Sequence, residues 1–226
     1  MAEDMCSEKR PAALEEAVAR GESRLEDWSE VTLTTERPFE GRVFAVDVET
    51  VRLPDGSHGR RELLRHSGGA AVLPLHEDGT VTLVRQYRKV FERLMLEMPA
   101  GKLEPGEDPA ECARRELGEE VGCLALDFWA LGTALPSPGY CGERLWLFAA
   151  LAESGGEPRP DRGEFLMRLR LPFDEVLRRA VAGEIEDAKT LLAVFYQAQR
   201  IQSTGMTSHD WIRAAFAAAR QKAGEE

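Results

Sequence analysis

Gly101-Lys102-Leu103-Glu104-Pro105-Gly106-Glu107-Asp108-Pro109-Ala110-Glu111-Cys112-Ala113-Arg114-Arg115-Glu116-Leu117-Gly118-Glu119-Glu120-Val121-Gly122-Cys123 reads as a glycine-bearing loop that runs into one short helix. Asp108 suits the N-cap, Pro109 the first helical position, and Glu111 the reciprocal position of a capping box. Gly122 is placed to end the helix in a left-handed conformation. Between these stops Ala110, Ala113, Leu117 and Val121 recur at helical spacing and form an apolar stripe. Glu116, Glu119 and Glu120 fall at i, i+3 and i+4 and share another face.

Three like charges on one face repel. Solvent relieves that repulsion on an ordinary surface helix. A hard divalent cation, Mg²⁺ or Mn²⁺, relieves it too, and brings a phosphate-bearing substrate with it. The segment Glu97-Met98-Pro99-Ala100-Gly101 turns just before the helix, which lets a backbone carbonyl such as that of Ala100 point at the same place. Arg115, beside Glu116, has the planar fork needed to orient a carboxylate.

The spacing resembles the Nudix hydrolase signature: Gly101, then Glu107 after five residues, then Arg115-Glu116-Leu117, Glu119-Glu120 and Gly122. Cys123 stands where the family prefers an aliphatic residue, and a free Cys behaves as a small hydrophobe. So many fixed positions make the signature specific for a family, though not for a substrate. The resemblance implies an α/β/α sandwich with a mixed central sheet. It also implies hydrolysis of a nucleoside diphosphate linked to another group. It assigns metal ligation to Glu116, Glu120 and the main-chain oxygen of Ala100, with Glu119 as a ligand or supporting group. Glu107 and Arg115 are expected to brace the loop and the glutamates, and Gly101 and Gly122 to serve backbone geometry.

The 226 residues suffice for one sizeable core plus an appendage, with 43% hydrophobic and 31% charged residues. The net charge of −11 argues against broad binding to nucleic acid or an anionic membrane. No membrane span and no secretory h-region is visible, so a cytoplasmic location is expected. Cys6, Cys112, Cys123 and Cys141 show no metal or disulfide spacing and read as free thiols. His58, His66, His76 and His209 are scattered and receive no role.

Along the chain, residues 1–25 read as a polar segment with a short helix around Ala12 to Leu25. Residues 26–66 read as an antiparallel β meander, with strands at Val31–Thr35, Gly41–Leu53 and Arg60–His66 and a Pro54-Asp55-Gly56 turn. The main domain is expected over residues 67–202. It contains a hairpin around Glu77-Asp78-Gly79, strands at Ala125–Thr133, Arg144–Leu151 and Phe165–Leu171, and helices at Pro172–Gly183 and Asp187–Gln202. Residues 203–226 read as a helical tail. The class is α+β.

Outside the signature, Ser137-Pro138-Gly139 followed by Glu143 resembles the ADP-ribose pyrophosphatase branch of the family, although Cys141 and Gly142 depart from it. Arg61-Glu62, Arg85-Gln86-Tyr87-Arg88 and Gly183-Glu184-Ile185-Glu186-Asp187-Ala188-Lys189-Thr190 resemble that branch as well. The resemblance implies that Glu143 binds metal or activates water, with Glu119, Glu120 and Arg115 in the catalytic group. Arg61 and Arg88 would contact diphosphate oxygens, Glu62 the adenine amino group, and Gly101 the substrate. An aromatic partner for the base is expected among Trp28, Phe39 and Phe44. The N-terminal strands would be exchanged across a homodimer. The expected reaction is Mg²⁺-dependent cleavage of ADP-ribose. The alternatives are GDP-mannose or a dinucleoside polyphosphate as substrate, or a catalytically silent nucleotide-binding regulator.

Overall fold

The computed structural model describes residues 28–160 and 163–224. The polar segment 1–25, its expected helix and Cys6 lie outside the described residues. The chain divides at His66 into two compact units, with Gly139–Cys141 joining the first. Among the described residues no helix is long and apolar enough to cross a membrane.

The first unit is a three-stranded antiparallel sheet in the order β1 (Val31–Glu40), β2 (Phe44–Arg52), β3 (His58–His66). β1 extends past the expected Thr35, because the Gly41 N–H donates to the Phe44 carbonyl at 3.0 Å and closes the turn only there. The second turn falls at Pro54-Asp55-Gly56, where Gly56 sits at φ 87, a conformation that favours glycine. Asp47 and Glu49 alternate on β2, and both are buried. Their charges are met by cations: Arg37 and Arg65 both bond Asp47, and Arg65 also bonds Glu49. The Arg37 and Arg65 bonds hold the Asp47 carboxyl down at about 2. Residues 139–141 lie along β3, with the Leu64 N–H on the Tyr140 carbonyl at 2.8 Å.

The second unit has a seven-stranded mixed sheet. Its strands are β4 (Gly69–Leu75), β5 (Thr80–Arg88), β6 (Arg93–Glu97), β7 (Ala100–Lys102), β8 (Cys123–Ala134), β9 (Leu145–Ser154) and β10 (Leu166–Pro172). The main path runs β10-β5-β4-β9-β8, with β6 added on β5 and β7 on β4. β4 and β9 are parallel and the other pairs antiparallel. The helices are α1 (Pro109–Val121), α2 (Phe173–Val181), α3 (Ala188–Gln202) and α4 (Ser208–Gly224).

Alternation along β4 and β9 divides the core in two. Ala71, Leu73, Leu75, Leu147, Ala149 and Leu151 face α2, α3 and α4, where Phe173, Val176, Val194, Ile212 and Phe216 bury. Ala70, Val72, Phe148, Ala150 and Ala152 face α1, where Ala113, Leu117 and Val121 bury. Burying each such large apolar side chain contributes roughly 1.5–3 kcal/mol. α1 is therefore pressed on the sheet along one stripe, which leaves its carboxylate face free to turn toward β7. α4 lies within the expected helical tail 203–226, and it buries Ile212, Phe216 and Ala219 in the first of these clusters.

Candidate active site

Helix α1 begins and ends on its own chemistry. The Asp108 Oδ1 accepts the N–H groups of Ala110 and Glu111 at 2.8 and 3.4 Å. Glu111 takes part through its backbone, and its side chain stays exposed without completing a capping box. Gly122 closes the helix at φ 69. A side chain there would meet the Gly156 carbonyl, whose oxygen lies 2.4 Å from where a Cβ would stand.

Glu116 and Glu120, one turn apart, are both buried. They lie against the short strand β7, where a glycine-bearing turn was expected. β7 pairs Ala100 with Ala71 and Gly101 with Ala70. The Ala100 N–H donates to Glu120 Oε2 at 3.1 Å. A Cβ on Gly101 would lie 1.6 Å from Glu116 Oε1, so only glycine leaves this carboxylate its place.

Arg115 ties the loop to the helix. Its Nε donates to Glu107 Oε1 at 2.9 Å, and its Nη1 donates to Glu116 Oε1 at 2.6 Å and to Glu119 Oε2 at 2.9 Å. The Nη2 reaches Glu107, the Lys102 carbonyl and the Cys112 sulfur. Surrounded by carboxylates, the guanidinium has its pKa pushed further up. The Cys112 thiol is buried, which pushes its pKa up to about 12, and it stays a neutral packing group.

Burial raises the pKa of both Glu116 and Glu120. For Glu120 the charge of Glu116 adds to burial, and the value reaches about 8. The charge of Glu164, from the segment ahead of β10, adds to the rise of both. Two buried, mutually repelling carboxylates beside a cradle that a Cβ would fill make an oxygen-only donor set, which suits a hard divalent cation. Among the described residues no three acidic, His or Cys side chains form a complete cage. Backbone, substrate or solvent oxygens would complete the coordination.

Beside this pair stands a cluster that the sequence reading did not assemble. Glu97, at the end of β6, is 3% exposed at its side chain and accepts the Arg88 fork through two bonds of 2.7 Å. The Lys189 ammonium bonds the same carboxylate and also Asp187, the N-cap of α3, at 2.8 Å. Burial opposes ionisation of Glu97, but Arg88 and Lys189 outweigh it and hold the group at about 2. Thr190, bonded to Asp187, accepts the Met98 N–H at 2.8 Å. α3 is thereby stitched to the chain just ahead of Ala100.

Glu143 lies in the loop before β9, partly buried. In the first unit, Arg61 bonds Glu30 through two nitrogens, and the exposed Glu62 pairs with Arg60. Phe39 and Phe44 pack against each other with ring centroids 5.5 Å apart, and Trp28 is exposed. The gathered residues are thus Ala100, Gly101, Glu107, Arg115, Glu116, Glu119 and Glu120, with Glu164, Glu97, Arg88 and Lys189 around them.

The NUDIX domain model matches residues 65–193. A methanol dehydrogenase activator of Bacillus methanolicus is 39% identical over 173 residues, which span 75% of this chain and 92% of that protein. An ADP-ribose pyrophosphatase of Bacillus subtilis (strain 168) is 37% identical over 169 residues, 74% of this chain and 91% of the relative. The crystal structure of an ADP compounds hydrolase superposes with a TM-score of 0.69, covering 79% of this chain and 97% of its own; at 24% identity it speaks for the fold. The buried glutamate pair, its glycine cradle and the bracing arginine lie inside the matched region. The chain belongs to the Nudix hydrolase family, in the branch that includes the ADP-ribose pyrophosphatases.

Proposed function

We propose that the protein hydrolyses the diphosphate of ADP-ribose to AMP and ribose 5-phosphate, with Mg²⁺ as cofactor and Mn²⁺ as a substitute. The observation that carries this reading is the burial of Glu116 and Glu120 side by side against Ala100 and Gly101. A divalent cation held there by Glu116, Glu120 and the Ala100 main-chain oxygen would neutralise the diphosphate and act as a Lewis acid. Arg115 holds Glu116 and Glu119 in place, and Glu107 holds Arg115. In the reaction a water oxygen attacks one phosphorus. A carboxylate takes the water's proton, and the bond from that phosphorus to the bridging oxygen breaks.

Glu143 is the proton acceptor that the family resemblance supplies. Glu164 is the second reading, supported by its effect on both Glu116 and Glu120. Comparing Glu143→Gln with Glu164→Gln separates them, since the true acceptor loses kcat by at least about 100-fold. Arg88, Arg61, Glu62 and Gly101 are proposed to contact substrate. Val31, Leu33 and Phe39, apolar and exposed on β1, support a proposed homodimer through the first unit.

The deciding experiment incubates the protein and Mg²⁺ with ADP-ribose, GDP-mannose and a dinucleoside polyphosphate, and identifies the products. AMP and ribose 5-phosphate from ADP-ribose, at the highest kcat/KM of the panel, are expected. Preference for another substrate rejects ADP-ribose. Tight binding without turnover of any substrate rejects catalysis.

A further inference from the structure

We propose that Lys189 is a positioning residue that acts through Arg88, fixing that guanidinium as an anion-binding edge beside the glutamate pair. This rests on the reading of the site as one for a diphosphate.

Arg88 uses Nε and Nη2 on Glu97, and its side chain is 41% exposed. The edge carrying Nη1 is thus the one left to meet a ligand. A single buried carboxylate shared by two cations sets the geometry of both, because neither can leave without stranding charge. Lys189 is itself tied down by Asp187, whose other oxygen caps α3 through the Thr190 N–H at 3.1 Å. The chain of contacts therefore runs from a helix terminus through Asp187, Lys189 and Glu97 to Arg88. Its charges balance, two cations against two anions.

The cluster also borders the site. Glu120 contributes to the electrostatics of Arg88, and Lys189 to those of Glu120. A guanidinium free to swing would lose ordering entropy whenever an anion bound. One clamped on two bonds has lost it already, and preorganisation of that kind strengthens binding. Among the described residues Lys189 makes no hydrogen bond to β7 or the signature helix, and its bonded route toward substrate runs through Glu97 and Arg88.

The test is a double-mutant cycle on the full-length chain with Lys189→Met, Arg88→Ala and the pair. KM and kcat are read for ADP-ribose with Mg²⁺. Metal-free Kd for ADP is read by calorimetry, so that binding is scored even if ADP-ribose proves not to be a substrate. Lys189→Met is expected to raise KM, and Kd for ADP, about tenfold with kcat within about threefold of wild type. In the pair the lysine change is expected to add nothing to Arg88→Ala, and Lys189→Arg to restore most of the loss. Should Lys189→Met fail to fold, Asp187→Asn takes its place with the same expectation. Multiplying effects in the pair would overturn the proposal. So would unchanged KM and Kd in a lysine variant that merely melts earlier. ADP-ribose left intact while ADP binding follows the cycle would reject the proposed reaction and keep the role of Lys189.

Discussion

Gly101 and Glu116 are in such close approach that a methyl group on the first would fall 1.6 Å from a carboxylate oxygen of the second. Gly101→Ala must therefore push Glu116 out of its place or bend β7 away from β4. A displacement of about 1 Å at a reacting centre costs on the order of 100-fold in rate. Steady-state hydrolysis of ADP-ribose should show a kcat loss of that size, with far-ultraviolet circular dichroism unchanged. Activity within threefold of wild type would contradict the cradle.

Glu120→Gln should abolish turnover, whereas Glu111→Gln, on the exposed flank of the same helix, should not. The metal-free protein gives a second readout. Burial, then the charge of Glu116, raise the Glu120 pKa from 4.5 to about 8. The folded state thus holds a proton that the unfolded state has released, and stability falls as pH rises through that window. Thermal melts without divalent ions should show this fall in wild type, worth on the order of a few kcal/mol. They should show a flatter profile in Glu120→Gln, and Mg²⁺ should stabilise only the wild type at pH about 8.

Arg115→Lys keeps a positive charge but cannot reach Glu107, Glu116 and Glu119 together. Loss of such bracing typically costs 10- to 100-fold in metal affinity or activity. A Mg²⁺ titration of the rate should shift to higher metal concentration, and saturating Mg²⁺ should recover part of the activity. An unshifted titration would show that Arg115 does not hold the glutamates.

Glu97 governs the acid side. Its pKa lies at about 2 in the folded protein, against 4.5 ordinarily, because Arg88 and Lys189 outweigh burial. Its stabilisation is complete above 4.5 and is lost as pH falls through that interval, about 3 kcal/mol in all. Urea midpoints at pH about 7 and about 3 should differ less in Glu97→Gln than in wild type, although the variant is weaker at pH about 7. Equal losses on acidification would remove Glu97 from this role.

Phe216→Ala should cost roughly 3–5 kcal/mol, since Phe216 is wholly enclosed in the cluster that backs the sheet. Chemical denaturation measures it. Folded enzyme should keep its kcat, because α4 packs on the face of the sheet opposite α1. A loss under about 1 kcal/mol would mean that α4 is a dispensable addition.

Much of the core architecture was legible because local signals agreed. Asp108, Pro109 and Gly122 bound α1 where their chemistry says they should, and β4 and β5 flank the expected Glu77-Asp78-Gly79 turn. The spacing of Glu116 and Glu120 puts them on one face, and the structure buries both. What escaped depends on distance along the chain. Lys189 meets Glu97 across 92 positions, and no periodicity reports such a partner. Arg88 was read as a cation facing substrate, while its strongest contact is this carboxylate. Ile212, Phe216 and Ala219 recur at i, i+4 and i+7, a pattern that announces a buried stripe without saying what it packs on. Glu164 is a lone acid in a polar stretch, and only its charge effect on Glu116 and Glu120 distinguishes it from its neighbours.

The pairing of β7 with β4 limits how this enzyme can diversify. The wall under the two glutamates is a rung of the central ladder, in register from Ala71 opposite Ala100 to Gly69 opposite Lys102. A residue inserted between Met98 and Lys102 would shift that register by one and present a different side to the helix. Lineages seeking new substrates would have to lengthen surface loops instead, and insertion libraries aimed at altered selectivity should leave these five positions alone.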